Sequence, residues 1–235
     1  MTPSRLAGAL LFLSVVALRA GAVPPGSVLE DFESTDPGEL PSRWRNKSGD
    51  DEPATYDARL RSTYHYRVVE EDGNRFLRFD GQRGKHLLLP LAGDESIDLK
   101  ATPVLRWRWR IHRAPEGANE KHRERNDAAA AMYVVMGHKF PRIPKVLKYT
   151  WSSSLPVGTE FSRHLGGLRV IVVGSGSSSQ GQWVECERNL RQDYRRLFGR
   201  RGFPQRPLAL LILSDADDTG TRAVADYDDF GLFPE

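Results

Sequence analysis

Cysteine is almost absent: Cys186 stands alone in 235 residues. A lone cysteine excludes an internal disulfide, so stability has to come from apolar burial, hydrogen bonding or bound ions. Cys186 sits in a strand-like run, where a free cysteine is expected to be a buried, inert thiol. The six histidines are scattered from His65 to His164, with no pair at zinc-ligand spacing. A G-x-S-x-G nucleophile elbow is missing. The segment Gly174-Ser175-Gly176 lacks the Lys-Ser/Thr that would follow in a phosphate cradle. Charge of one sign is also lacking, with 34 Lys and Arg against 31 Asp and Glu. So even a balance gives nucleic-acid binding little support. Beyond the N-terminus no run is long and apolar enough to cross a bilayer.

The first 22 residues have their own pattern. Arg5 precedes an apolar run, Leu6 to Leu18, which ends at the small residues Ala20-Gly21-Ala22. This reads as a secretory signal peptide over residues 1–22, with an uncleaved anchor as the alternative. Cleavage before Val23 leaves 32 basic against 31 acidic residues. The expected location is then periplasmic or secreted, with no membrane span after cleavage.

The rest of the chain is dominated by period-two alternation, the signature of half-buried strands. In Val104–His112 (VLRWRWRIH), Leu105, Trp107, Trp109 and Ile111 share one face, and Arg106, Arg108, Arg110 and His112 share the other. Two neighbouring indoles bury too much apolar area to be left wet, so the Trp face is the predicted core face. Two runs around Asp72-Gly73-Asn74 read as a β-hairpin. Near the end, Leu208–Leu213 and Ala223–Phe233 read as two strands joined by an acidic loop. Residues 113–126 read as a charged loop with no apolar anchor. One segment is helical: Asn189 caps it, Gly199 ends it, and Leu190, Tyr194, Leu197 and Phe198 fall on one side. About ten strands and one short helix predict an all-β antiparallel sandwich of the jelly-roll type, a single domain over residues 23–235.

Five ordered stretches carry a resemblance: VLRWRWRIH, NDAAAAMYVV, YTWSSSLPVGT, GQWVECERNLRQDYRRLFG, and LILSDADDTG followed by ADYDDFGLF. With these the chain resembles the bacterial exported family catalogued as domain of unknown function 3047. The resemblance implies export, a jelly roll similar to carbohydrate-binding modules, and no assigned activity. The chain departs from the family in having Asn126-Asp127 where a paired Asp-Asp is usual, and Ala131 where an Arg lies nearby.

Three constellations are candidates for chemistry. The first is Asp215-x-Asp217-x-Thr219-Gly220, with Asp226 eleven residues after Asp215, which has the spacing of a calcium loop. The alternative is an Asp-rich turn whose side chains bond their own backbone. A related reading pairs the first and last strands, with Asp31 and Glu33 in the first sharing calcium with Asp226, Asp228 and Asp229 in the last. The second is the arginine row, Arg106, Arg108 and Arg110 with His112. It either faces an anionic or hydroxyl-rich glycan or is answered by Glu185 and Glu187 on a neighbouring strand. The third is aromatic: Trp151 and Trp44, with Tyr149 on the same face as Trp151, are candidates to stack on sugar rings.

These features support an exported non-catalytic binding protein for an envelope or extracellular carbohydrate, with calcium as a possible structural ion. The alternatives are a polysaccharide lyase using Arg108, Arg110, His112 and Tyr133, or a periplasmic structural or assembly factor that binds a protein. The ligand-binding set is Arg106, Arg108, Arg110, His112, Tyr133, Tyr149, Trp151 and Glu185. The metal set is Asp215, Asp217, Thr219 and Asp226.

Overall fold

Alternating runs this short can bury only one face each, so they must stack as two sheets. The computed structural model describes residues 26–46, 65–137 and 144–235. The signal peptide and its cleavage site lie outside the described residues.

The first sheet has six strands. Five of them run in the order β11 (Trp183–Asn189), β6 (Val104–Arg113), β13 (Ala223–Phe233), β4 (Asn74–Gly81) and β3 (Tyr66–Glu71). The sixth, β1 (Ser27–Glu30), pairs with the end of β13. The second sheet has seven, in the order β2 (Arg45–Asn46), β5 (Leu87–Pro90), β12 (Ala209–Asp215), β7 (Ala128–Val135), β8 (Val146–Ser152), β10 (Leu168–Ser175) and β9 (Glu160–Arg163). All pairings are antiparallel except β8 with β10. The result is the expected jelly-roll sandwich. The expected hairpin is β3 and β4, with Asp72 and Gly73 both at positive φ in its turn. The expected pairing of first and last strands is present, although β1 ends at Glu30, ahead of Asp31 and Glu33.

The acidic loop joins β12 in one sheet to β13 in the other, so it is a crossover and not a hairpin. The last strand is central: it pairs with β6 along one side and with β4 and β1 along the other.

The core lies between the sheets. Trp107 and Trp109 are 2% and 0% exposed and pack edge to face with centroids 5.4 Å apart. From the opposite sheet, Tyr149 meets Trp107 at 5.6 Å and Trp151 meets Trp109 at 6.2 Å. Gly174 makes room for the Trp151 ring, since a Cβ there would sit 2.3 Å from it. Helix α1 (Leu190–Phe198) closes one end, with Asn189 Oδ1 accepting from the Gln192 amide at 3.0 Å. Its Asp193 is buried and accepts from Arg188, Arg196 and the Tyr149 hydroxyl. Burial pushes that carboxyl up, but these donors together hold it below the usual carboxylate range.

The loop before β7 is anchored, contrary to expectation. Ala118 and Glu120 are fully buried, and Glu120 accepts from Ser152 Oγ at 2.5 Å. The loop thereby covers one end of the outer face of the seven-stranded sheet.

Candidate functional site on the outer face of the seven-stranded sheet

The arginine row lies where expected, on the outer face of the six-stranded sheet, but it is closed by the protein's own acids. Asp226 is fully buried and is shared by Arg78 at 2.7 Å, Arg110 at 2.8 Å and His112 at 2.7 Å. Arg110 also reaches Glu71 at 2.7 Å. Arg108 pairs with Asp228 at 2.6 Å and Asp229 at 2.8 Å. Arg106 pairs with Glu187 at 2.7 Å. Arg108 and Arg110 both lie over the Trp183 ring. So Glu187 answers the row as expected. Glu185, which stands opposite Arg108 in the register, is exposed. Most of the countercharge comes from β13, because its Asp226 and Asp228 are the direct cross-strand partners of Arg110 and Arg108. Burial pushes the Asp228 carboxyl up to about 6, against the pull of Asn74 and Arg108.

Several other expectations change with this geometry. Asp226 cannot complete a calcium loop, since its side chain is spent on two arginines and a histidine. Glu33 accepts from the Arg75 amide and Asp31 from the Glu33 amide, so neither joins the β13 acids. Tyr149 and Trp151 are 0% and 3% exposed core residues and stack on tryptophans rather than sugars. Trp44 is likewise buried, its indole N–H donating to Glu30. Tyr133 lies on the outer face of the other sheet, so the lyase set of Arg108, Arg110, His112 and Tyr133 is split across the sandwich. Cys186 is half-buried, and burial pushes its thiol up to about 12, leaving it inert at neutral pH.

An open site lies on that other face. A trough of about 660 Å³ crosses β12, β7, β8, β10 and β9. One cross-sheet row forms its floor: Leu211, Tyr133, Lys148, Val170 and Phe161 are successive pairing partners and so point the same way. His86 meets Tyr133 edge to face at 5.2 Å, and the Lys148 ammonium lies 5.2 Å from the same ring. Beyond Phe161, Arg163 donates to the Glu120 carbonyl. The turn after it holds His164 and Leu165 at positive φ, leaving Leu165 94% exposed at the edge of the site. Strand β9 escaped the sequence reading because Phe161 is its only apolar residue.

Asp215 stands at the other rim. Between Leu213 and Asp215 the pairing of β12 shifts register, a bulge that re-aims the following side chain. Two tyrosines from the facing sheet hold the bulge: Tyr66 accepts from the Ser214 amide at 2.9 Å, and Tyr227 bonds the Ser214 hydroxyl at 2.7 Å. Burial raises both phenols, so they stay neutral. Asp215 then accepts from the Gly84 and Ala216 amides, each at 3.1 Å. Burial, with Asp217 and Asp127 adding to it, pushes Asp215 up to about 7.

Carboxylate oxygens of Asp127, Asp215 and Asp217 lie within 4.8 Å of one another. These three are the residues that can share a cation, with Asp127 taking the place expected for Asp226. The Thr219 hydroxyl donates to Asp127 at 2.6 Å, so it reaches that cluster through one of its three acids. Asp127 also accepts from the Asp218 and Thr219 amides. The expected Asp-rich turn bonding its own backbone is present at Asp215 and Ala216, while the Asp218 and Thr219 amides are bonded by Asp127, about ninety residues distant in sequence, which spacing could not reveal.

No curated protein matches the chain. Among solved structures it is similar to an arabinose-bound α-L-arabinofuranosidase, at 10% identity and TM-score 0.44, covering 92% of this chain and 27% of that one. The chain thus spans about a quarter of that enzyme's length. It is similar to a family 12 xyloglucanase from Bacillus licheniformis at 8% identity and TM-score 0.41, covering 85% of this chain and 97% of the other. It is also similar to SGBP-B from a complex xyloglucan utilization locus in Bacteroides uniformis, at 11% identity and TM-score 0.34, covering 89% and 50%. At these values the likenesses say nothing about activity. The sequence match is specific: over residues 43–231 the chain fits the family described as "Protein of unknown function (DUF3047)", and it belongs to that family.

Proposed function

We propose that the chain is an exported, non-catalytic protein that binds an envelope or extracellular carbohydrate in the trough of the seven-stranded sheet. The observation that carries this reading is the floor row, where the half-buried rings of Tyr133 and Phe161 flank Lys148 and Val170 in an open trough. Ring faces pack on the C–H faces of sugars, while a few placed polar groups take the hydroxyls. A volume of about 660 Å³ lies in the range of roughly 300–1,000 Å³ common for ligand sites. With its pKa near 7, Asp215 can both donate and accept at neutral pH, as hydroxyl recognition requires.

Binding is favoured over hydrolysis because glycosidases generally flank the scissile bond with two carboxyl groups. Among the described residues Asp215 is the one carboxylate lining the trough. A periplasmic or secreted location follows from the N-terminal signal pattern and belongs to the same proposal.

Affinity electrophoresis against a panel of neutral and acidic polysaccharides tests it. Retardation is expected, and is expected to vanish in Tyr133→Ala and Phe161→Ala while Arg106→Ala behaves as wild type. A chain that no polysaccharide retards, but that captures one defined envelope protein, would instead be an assembly factor. Calcium remains an expectation, now on Asp127, Asp215 and Asp217. A melting temperature unmoved by calcium or chelator removes it.

A further inference from the structure

Lys148 is 5% exposed, and its side chain lines the trough near the middle of the seven-stranded sheet. Its lateral neighbours in the floor row are Tyr133 and Val170. Along its own strand, the same face carries Val146 and Thr150. Among the described residues no carboxylate or hydrogen-bond acceptor pairs with the ammonium, and its one recorded contact is the Tyr133 ring. The Thr150 hydroxyl on the same face donates to Glu120 and the Ala130 carbonyl and makes no bond with the ammonium. Asp215 stands at the rim, where one of its oxygens accepts from the Gly84 and Ala216 amides, and it makes no ion pair with Lys148.

Holding a largely buried lysine on a trough floor without an ion-pair partner is costly, and packing alone would gain more from Met or Leu at this place. A cation–π contact offsets only part of that cost. The contrast with the rest of the molecule is direct, because the half-buried guanidinium groups of Arg78, Arg108 and Arg110 on the other sheet each have a carboxylate. Arg163 adds a second positive charge to the same trough, again without an ion-pair partner among the described residues.

We infer that the trough selects an anionic saccharide, with Lys148 pairing the sugar's carboxylate or sulfate while Tyr133 and Phe161 hold the ring. This rests on the carbohydrate reading above and adds the substrate class: acidic glycans in preference to neutral ones. The ammonium donates to the anion as it is sealed from water by the bound sugar, which strengthens the pair.

The test is calorimetry on the mature chain with oligogalacturonate, a sulfated galactan oligosaccharide and cellohexaose. Oligogalacturonate or the sulfated sugar should bind at least about 10-fold more tightly than cellohexaose, and which of them binds identifies the anion. Lys148→Met should lose about 10- to 100-fold of that affinity, while Lys148→Arg should keep most of it. In the wild-type protein, the bound acidic sugar should protect Lys148 from amine acetylation, read by mass spectrometry, which needs no variant to fold. Equal binding of neutral and acidic sugars, or unchanged affinity in Lys148→Met, overturns the anion inference and leaves the carbohydrate reading standing. Binding of a simple dicarboxylate with no binding of any sugar keeps the anion site and overturns the carbohydrate reading. Absence of binding across the whole panel overturns both.

Discussion

The two outer faces of the sandwich handle positive charge in opposite ways. On the six-stranded sheet, Arg78, Arg108 and Arg110 sit over the buried carboxylates of Asp226 and Asp228, with Glu71 behind them. On the seven-stranded sheet a single lysine is buried to a greater degree and has only a ring for company. The first face has many charges and little left to offer a ligand. The second has few charges, and its Lys148 and Arg163 have no carboxylate partner among the described residues. Counting partners, and not charges, separates a structural face from a binding face.

That contrast breaks most sharply at Asp226. Asp226→Ala leaves Arg78, Arg110 and His112 without their shared carboxylate. The expected cost is about 3–5 kcal/mol, read by denaturant unfolding, with polysaccharide retention unchanged below the melting temperature. Wild-type stability in this variant would mean that the arginine face is not a structural network.

A smaller effect is expected at Asp215, and it depends on pH. Its folded pKa of about 7 lies above the ordinary value of 3.8. The folded state therefore favours the protonated form, and the stability this group contributes is full below about pH 4 and is lost as pH rises through 7. Asp215→Asn should melt like wild type at pH 4 and gain progressively up to pH 7, with little further change above. After allowance for partial exposure the gain is about 1 kcal/mol, or about 2–4 °C for a chain of this size. A pH-independent difference would remove the assignment of the raised carboxyl to Asp215.

The smallest effect belongs to the edge of the arginine row. Arg106 and Glu187 have half-exposed side chains, so Glu187→Gln should change stability by no more than about 0.5 kcal/mol. Together with Asp226→Ala it maps how the network weakens from its buried centre to its rim.

The period of the chain was enough to place Trp107 and Trp109 inside and the arginines outside, because side chains on a strand must alternate between faces. The cap at Asn189 and the turn at Asp72-Gly73 were legible for the same reason: each is set by residues within a few positions. Tyr149 and Trp151 were not legible, since strand alternation says that they share a face but not whether that face meets water. Burial was decided by Trp107 and Trp109 on the opposite sheet.

Sequence by itself therefore determined the sheet-forming pattern, the family and the core indoles, all of which depend on local steric periodicity and ordered motifs. Tertiary structure decided which acids meet which bases. Asp226 was drawn from an apparent calcium loop into the arginine network, Asp127 came to Asp215 from the residue before β7, a strand distant in sequence but paired with β12, and Lys148 was left unanswered beside Tyr133. Electrostatic pairing depends on distance in space, and in a sandwich the crossover of β12 to β13 puts neighbours in sequence on different faces.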